Sequence, residues 1–206
     1  MLNDTTSTTA AATATTAAPE SGTWRSLRSL HLVRAAFSLT WVALVVTTSA
    51  SLTSADRPTA LAAVLLVSYP LWDVLVTALE RRRTTSVAIP RGSSTATIAV
   101  GLVATVAMAL ALLDTIGTAM LVFGAWALLA GALQLVVAVR RRAAMGAQWP
   151  MMISGGLSVL AGAAFAAMST SSTSGLSAIA GYAAFGAFWF LVSAAALTMH
   201  NRRPSR

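Results

Sequence analysis

The stretch LVFGAWALLAGALQLVVAVRRR, residues 121–142, carries no charge until its end, where Arg140, Arg141 and Arg142 follow one another. Together with the apolar residues that precede it from Ile116, it is longer than the ~20 residues that cross hydrocarbon at about 1.5 Å per residue. An apolar run closed by arginines reads as a membrane helix whose basic end stays on the cytoplasmic side.

The same arrangement recurs in both directions from this stretch. Arg25, Arg28 and Arg34 precede the first long apolar segment, and Arg81, Arg82, Arg83 and Arg91 lie between the second and third. Arg202, Arg203 and Arg206 follow the sixth, and of the 14 basic residues only Arg57 falls in one of the three remaining gaps. Alternate gaps therefore face opposite sides of a bilayer, with both termini cytoplasmic. The spans are expected at about 31–52, 58–80, 94–113, 116–139, 148–168 and 175–199. Pro58 and Pro150 suit first helical turns, where a missing N–H costs nothing. Trp149 fits an interfacial anchor. The short outer links, around Asp56-Arg57, Asp114-Thr115 and 169–174, force antiparallel neighbours. A cleaved signal peptide is the rival reading of the first span, because small residues follow it at Ser49-Ala50-Ser51 and Ser54-Ala55; its apolar run is long for that role, and five spans follow. The expected fold is all-α: an integral membrane bundle of six transmembrane helices over residues 30–200. A disordered Thr/Ala-rich tail is expected at 1–29 and a basic tail at 201–206.

Composition agrees with lipid as the solvent. The chain is 56% hydrophobic and 10% charged, with a mean hydropathy of +0.73, too little charge to cover a soluble domain of 206 residues. The net charge of +8 comes from arginines that cap apolar segments. No basic stripe interleaved with exposed aromatics offers a nucleic-acid surface. The expected partners are the lipid bilayer and anionic head groups on the cytoplasmic face. With no cysteine, disulfides, thiolate-bound zinc and iron–sulfur clusters are excluded. The two histidines, His31 and His200, stand at opposite ends of the chain and form no local metal motif. No Ser/His/Asp set, paired carboxylates or HExxH appears, so no catalytic, cofactor or metal residue is assigned and an enzyme is not expected.

One acid interrupts an apolar span: Asp73, in Tyr69-Pro70-Leu71-Trp72-Asp73. It lies eight residues before Arg81, roughly 12 Å along a helix axis. Tyr69, Asp73, Thr77 and Glu80 share one helix face, which must turn toward the bundle because a lipid-facing carboxylate costs several kcal/mol. Arg34, with Ser38 one turn deeper, is the expected partner of Asp73, and Pro70 a candidate kink. Gln134, six residues before Arg140, lies at comparable depth and reads as an interhelical hydrogen bond worth about 1 kcal/mol. The cluster Asp73, Tyr69, Thr77, Arg34 and Gln134 is either a polar clasp that fixes span two or a site with a proton or ion role; the residues leave both open. Trp41, Trp126 and Trp189 read as packing residues.

Small residues recur every four positions: Thr97, Gly101, Thr105 and Ala109 in span three, and Ser154, Ser158, Gly162 and Ala166 in span five. Such stripes let helices approach closely, within the subunit or in a homo-oligomer. Gly124-Ala125-Trp126 and Leu128-Leu129 match Gly186-Ala187-Phe188 and Phe190-Leu191, each run ending in arginines, and Trp72 before Arg81 is a looser match. Spans three and five align around Gly101 and Gly156. Three helical hairpins from one repeated unit are the reading, against chance alignment of Ala/Gly/Leu-rich helices.

The residues Phe123-Gly124-Ala125-Trp126, Gly131-Ala132-Leu133-Gln134, Arg140 to Arg142, Gln148-Trp149-Pro150, Ser154-Gly155-Gly156 and Gly162 resemble the HdeD-like membrane proteins. Tyr69-Pro70-Leu71-Trp72-Asp73 is similar to actinobacterial members of that family. The resemblance is strongest from about 120 to 165. It implies a six-span bacterial inner-membrane protein built from repeated helical hairpins, without an assigned activity and associated in enteric members with acid resistance. The long Thr/Ala tail and the weak first hairpin depart from the compact enteric form. Two functions are therefore expected in competition: a non-enzymatic stress-response membrane protein, and a small transporter or channel with a cytoplasmic-side polar site around Asp73.

Overall fold

A computed structural model describes residues 21–48, 53–54, 57–83, 91–145, 147–170 and 176–201. The expectations for residues 1–20, for Ser49 to Leu52 and for 202–206 lie outside them. Six helices carry the fold: α1 (Ser21–Thr48), α2 (Ala60–Arg83), α3 (Arg91–Ala111), α4 (Ile116–Met145), α5 (Trp149–Met168) and α6 (Leu176–Asn201). Each contains a segment long and apolar enough to cross a membrane. Most of the large side chains left outward are aliphatic, with Val64 66%, Val103 70% and Leu160 68% exposed. Water would penalise such a surface and lipid does not.

Three differences from the sequence reading stand out. Residues 21–29, assigned from composition to the tail, are helical. Leu27 and Leu30 are buried, and Leu27 packs with Leu197 of α6 against Ala147. Tertiary packing thus supplies what the polar composition of this segment does not. Pro58 does not open α2. It lies in a two-residue strand, β2 (Arg57–Pro58), paired antiparallel with β1 (Thr53–Ser54), so the fold is helical apart from this pair. The pairing sets Thr53 opposite Pro58 and Ser54 opposite Arg57 in the link between α1 and α2. The third difference is α4, which continues through the arginine cluster to Met145.

Local chemistry sets the helix ends. Thr47 and Thr48 turn their hydroxyls back to the carbonyls of Ala43 and Leu44, at 2.7 and 2.5 Å, near the end of α1. At the start of α4, Thr115 Oγ1 accepts the N–H of Thr118 at 3.2 Å, the role of an N-cap side chain. Pro150 occupies the first turn of α5.

Successive helices pack side by side, and α6 returns to α1, so the bundle closes as a ring. The most extensive contact is between α4 and α5, followed by α1 with α6 and α2 with α3; α1 with α2 is the least extensive of the ring. Paired residues show that α1/α2, α2/α3, α4/α5 and α1/α6 are antiparallel. Arg34 meets Asp73 and Trp41 meets Leu65; Arg81 meets Thr95 and Gly101 meets Pro70; Gly131 meets Gly155 and Gly124 meets Gly162; Leu27 meets Leu197 and His31 meets Phe190. This order brings the described arginines, Arg57 excepted, to one end of the ring.

The α4/α5 seam explains its own extent. Glycines seven residues apart on each helix face each other, Gly124 opposite Gly162 and Gly131 opposite Gly155. A methyl group on Gly124 would lie 2.7 Å from the carbonyl oxygen of Gly162, and one on Gly155 2.9 Å from that of Gly131. Only a missing Cβ permits this backbone approach. The stripe Ser154, Ser158, Gly162 and Ala166 lies along this seam, and Gly101 of the α3 stripe packs on Val74 and Pro70 of α2. Both stripes therefore make contacts within the subunit.

The apolar core fills one half of the ring. Trp41, Leu65, Leu66, Met108, Met120, Phe123, Phe165 and Ile179 pack together in the half remote from the arginines. Phe123 stands edge-on to Trp126, Phe165 and Tyr182, with centroids 5.3, 5.6 and 5.7 Å away. The other half, on the arginine side, is hollow.

Candidate functional site

The hollow half is a cavity of about 150 Å³, room for several waters. It runs between the arginine-bearing helix ends and the aromatic core. Tyr69, Asp73, Thr77 and Glu80 all line it, as one face of α2 turned inward. The helix runs on through Pro70, which is fully buried.

Arg34 of α1 reaches this face. Its Nη1 donates to Asp73 Oδ1, and its Nη2 donates to Thr77 Oγ1 at 3.0 Å. The ion-paired side chains are 16% and 18% exposed. The guanidinium also lies over the ring of Phe190 of α6, 5.7 Å from its centroid. One turn deeper, Ser38 and Tyr69 share a hydrogen bond at 3.3 Å. Deeper still, Trp41 Nε1 donates to the carbonyl of Leu65 at 2.7 Å. These three contacts fasten α1 to α2 where helix packing is least extensive.

Two of the five residues singled out in the sequence, Asp73 and Thr77, bond directly to a third, Arg34. Tyr69 is linked to Ser38 instead. Gln134 lines the same cavity, but its amide donates across the α4/α5 seam to the carbonyl of Met151 at 3.1 Å. It makes the interhelical bond expected of it and does not touch Asp73's partners.

Sequence reasoning missed a second ion pair. Arg141, read there only as a topology signal, donates Nη1 and Nη2 to Glu80 Oε1, both at 3.2 Å. His31 lines the cavity too, stacked on Phe190 with centroids 6.0 Å apart. Tyr182 donates to Ser158 at 3.1 Å, closing the deep end between α6 and α5. Helical depth was the only available signal for these: Glu80 and Arg141 each lie at the arginine-side end of a span.

Several polar nitrogens on the lining have no protein partner: His31 Nδ1, Trp72 Nε1, Trp126 Nε1 and Arg141 Nε. Trp126 is 6% exposed and packs edge-on against Tyr69, at 5.7 Å. Its indole N–H is thus buried without a protein partner, which costs about 1–3 kcal/mol. Among the described residues, no three His, Asp or Glu side chains gather as a metal site.

The profile of a family described as "Short repeat of unknown function (DUF308)" matches residues 93–167, from α3 through α5. The match includes the glycine seam, Trp126, Gln134 and Arg141. No curated protein and no solved structure matches the chain. The six helices and this match support a multi-pass membrane protein carrying a short repeat.

Proposed function

We propose that this chain is a non-enzymatic, HdeD-like protein of the bacterial inner membrane, with both termini cytoplasmic, and that its cavity is a solute-accepting vestibule open toward the cytoplasm. The single observation that carries the vestibule is a polar, ion-paired cavity in one half of the ring, backed by a sealed aromatic core in the other half. A purely structural clasp needs no room around Asp73, and here there is room. The arginines gathered at the cavity end support the cytoplasmic assignment. The ring order, in which each even helix packs most extensively on the odd helix that follows and α6 closes on α1, is the arrangement three hairpin repeats would produce. The room around Asp73 favours the transporter-type reading over an inert accessory protein.

The absence of cysteine makes the test clean. Ala130 lines the cavity at mid-depth on α4. In Ala130→Cys, a membrane-impermeant maleimide is expected to react in inside-out vesicles and not in intact cells. Protection from both sides would mean a packed bundle and would remove the vestibule.

The clasp reading keeps one specific support: Arg34 bridges α1 to α2 and Arg141 bridges α4 to α2. A stress role carried by such a clasp is tested by acid-challenge survival of a deletion strain. Rescue by the wild type and by Asp73→Asn alike would separate acid resistance from the ion pair, and absence of rescue by the wild type would remove acid resistance.

A further inference from the structure

We propose that the cavity takes a small polar solute that is net neutral, such as a small zwitterion or a polyol. The inference rests on the vestibule reading and names its ligand class. Charge decides the first part. The lining holds two guanidinium groups and two carboxylates, and they are matched as Arg34 with Asp73 and Arg141 with Glu80. An ion of either sign would enter a low-dielectric space that offers no surplus counter-charge, and its desolvation would go uncompensated.

Polarity and size decide the second part. Ser38, Thr77, Gln134 and Ser158 line the cavity beside the two ion pairs, so a guest meets hydroxyl and amide groups as well as charge. The volume of about 150 Å³ is below the ~300–1,000 Å³ of pockets that enclose drug-sized ligands, so the guest is small.

The test is saturation-transfer NMR on the full chain in lipid nanodiscs with four probes: glycine, glycerol, acetate and methylammonium. Transfer to glycine or glycerol, and not to the two ions, is the expected result. Glycine alone assigns a zwitterion and glycerol alone a polyol. Ala130→Leu, which fills the cavity without removing a polar group, should abolish the transfer. Transfer only to acetate or methylammonium overturns the proposal. So does transfer to no probe, which would leave water alone in the cavity, and so does binding unchanged in Ala130→Leu. If the Ala130 cysteine is reachable and no probe binds, the ligand class fails while the vestibule stands.

Discussion

Arg141 places both terminal guanidinium nitrogens on a single oxygen of Glu80, each at 3.2 Å. The two residues belong to α2 and α4, which do not follow one another in the ring. The contact therefore spans the mouth of the cavity, tying together helices that the α3 segment separates in sequence. A fork that grips one carboxylate oxygen leaves the other oxygen of Glu80 for water or a guest.

Removing one partner of this pair should cost more than removing both. Glu80→Gln is expected to destabilise the protein by roughly 1–3 kcal/mol, because Arg141 stays partly buried without its counter-charge. The double substitution Glu80→Leu with Arg141→Met should recover most of that loss. Denaturant unfolding in detergent, arranged as a double-mutant cycle, measures both.

Arg34→Lys keeps the charge but not the fork. A lysine ammonium is a point charge and cannot reproduce two directed N–H bonds from a planar group, one to Asp73 and one to Thr77. A loss of about 1–2 kcal/mol is expected. Thr77→Val alone should cost less than that, since it leaves the ion pair in place. A stability for Arg34→Lys equal to the wild type would show that the Thr77 bond contributes nothing.

Much of the fold was legible in the sequence, because hydropathy and arginine placement report directly on a bilayer. The inward stripe of α2 was legible too, since Tyr69, Asp73 and Thr77 repeat every four residues and a helix turns them together. Contacts between helices distant in sequence were not. Nothing local links Glu80 to Arg141 or His31 to Phe190; only closure of the ring brings them together. The four-residue stripe of span five caught Gly162, but the facing glycines of the α4/α5 seam repeat at seven residues, Gly124 to Gly131 and Gly155 to Gly162, and that pairing it did not show. Trp126 read as packing because an indole in an apolar span gives no sign that the residue borders a cavity. Pro58 read as a helix start because the β1/β2 pairing depends on residues before it that carry no strand pattern.

The seam glycines should tolerate nothing larger. Gly131→Ala and Gly162→Ala place a methyl group against backbone atoms of the facing helix, and each should cost about 1–3 kcal/mol. Gly156→Ala, one residue from the seam, meets no atom within 4 Å and should be neutral or gain about 0.5–1 kcal/mol from helix propensity. Thermal unfolding of the three variants in one detergent decides it; equal destabilisation of all three would remove the close-approach account.

The arginine end and the opposite end should report from different compartments. Thr115→Cys, at the start of α4, is expected to react with an impermeant maleimide in intact cells. Ala143→Cys, just beyond the arginine cluster, should react only after permeabilisation. The reverse pattern would invert the orientation of the whole chain.

The backbone-to-backbone seam between α4 and α5 has a mechanical consequence. Where glycine faces glycine there is no side chain to re-pack, so these two helices can neither slide nor rotate against each other without backbone collision, and they behave as one stiff stave. Any rearrangement that unseals the aromatic half must therefore be taken up at the looser joins, and the loosest is that between α1 and α2. Its moving parts would then be the α1 guanidinium and the α2 carboxylate, and a sulfur bridge across that join would freeze the protein without touching the stave.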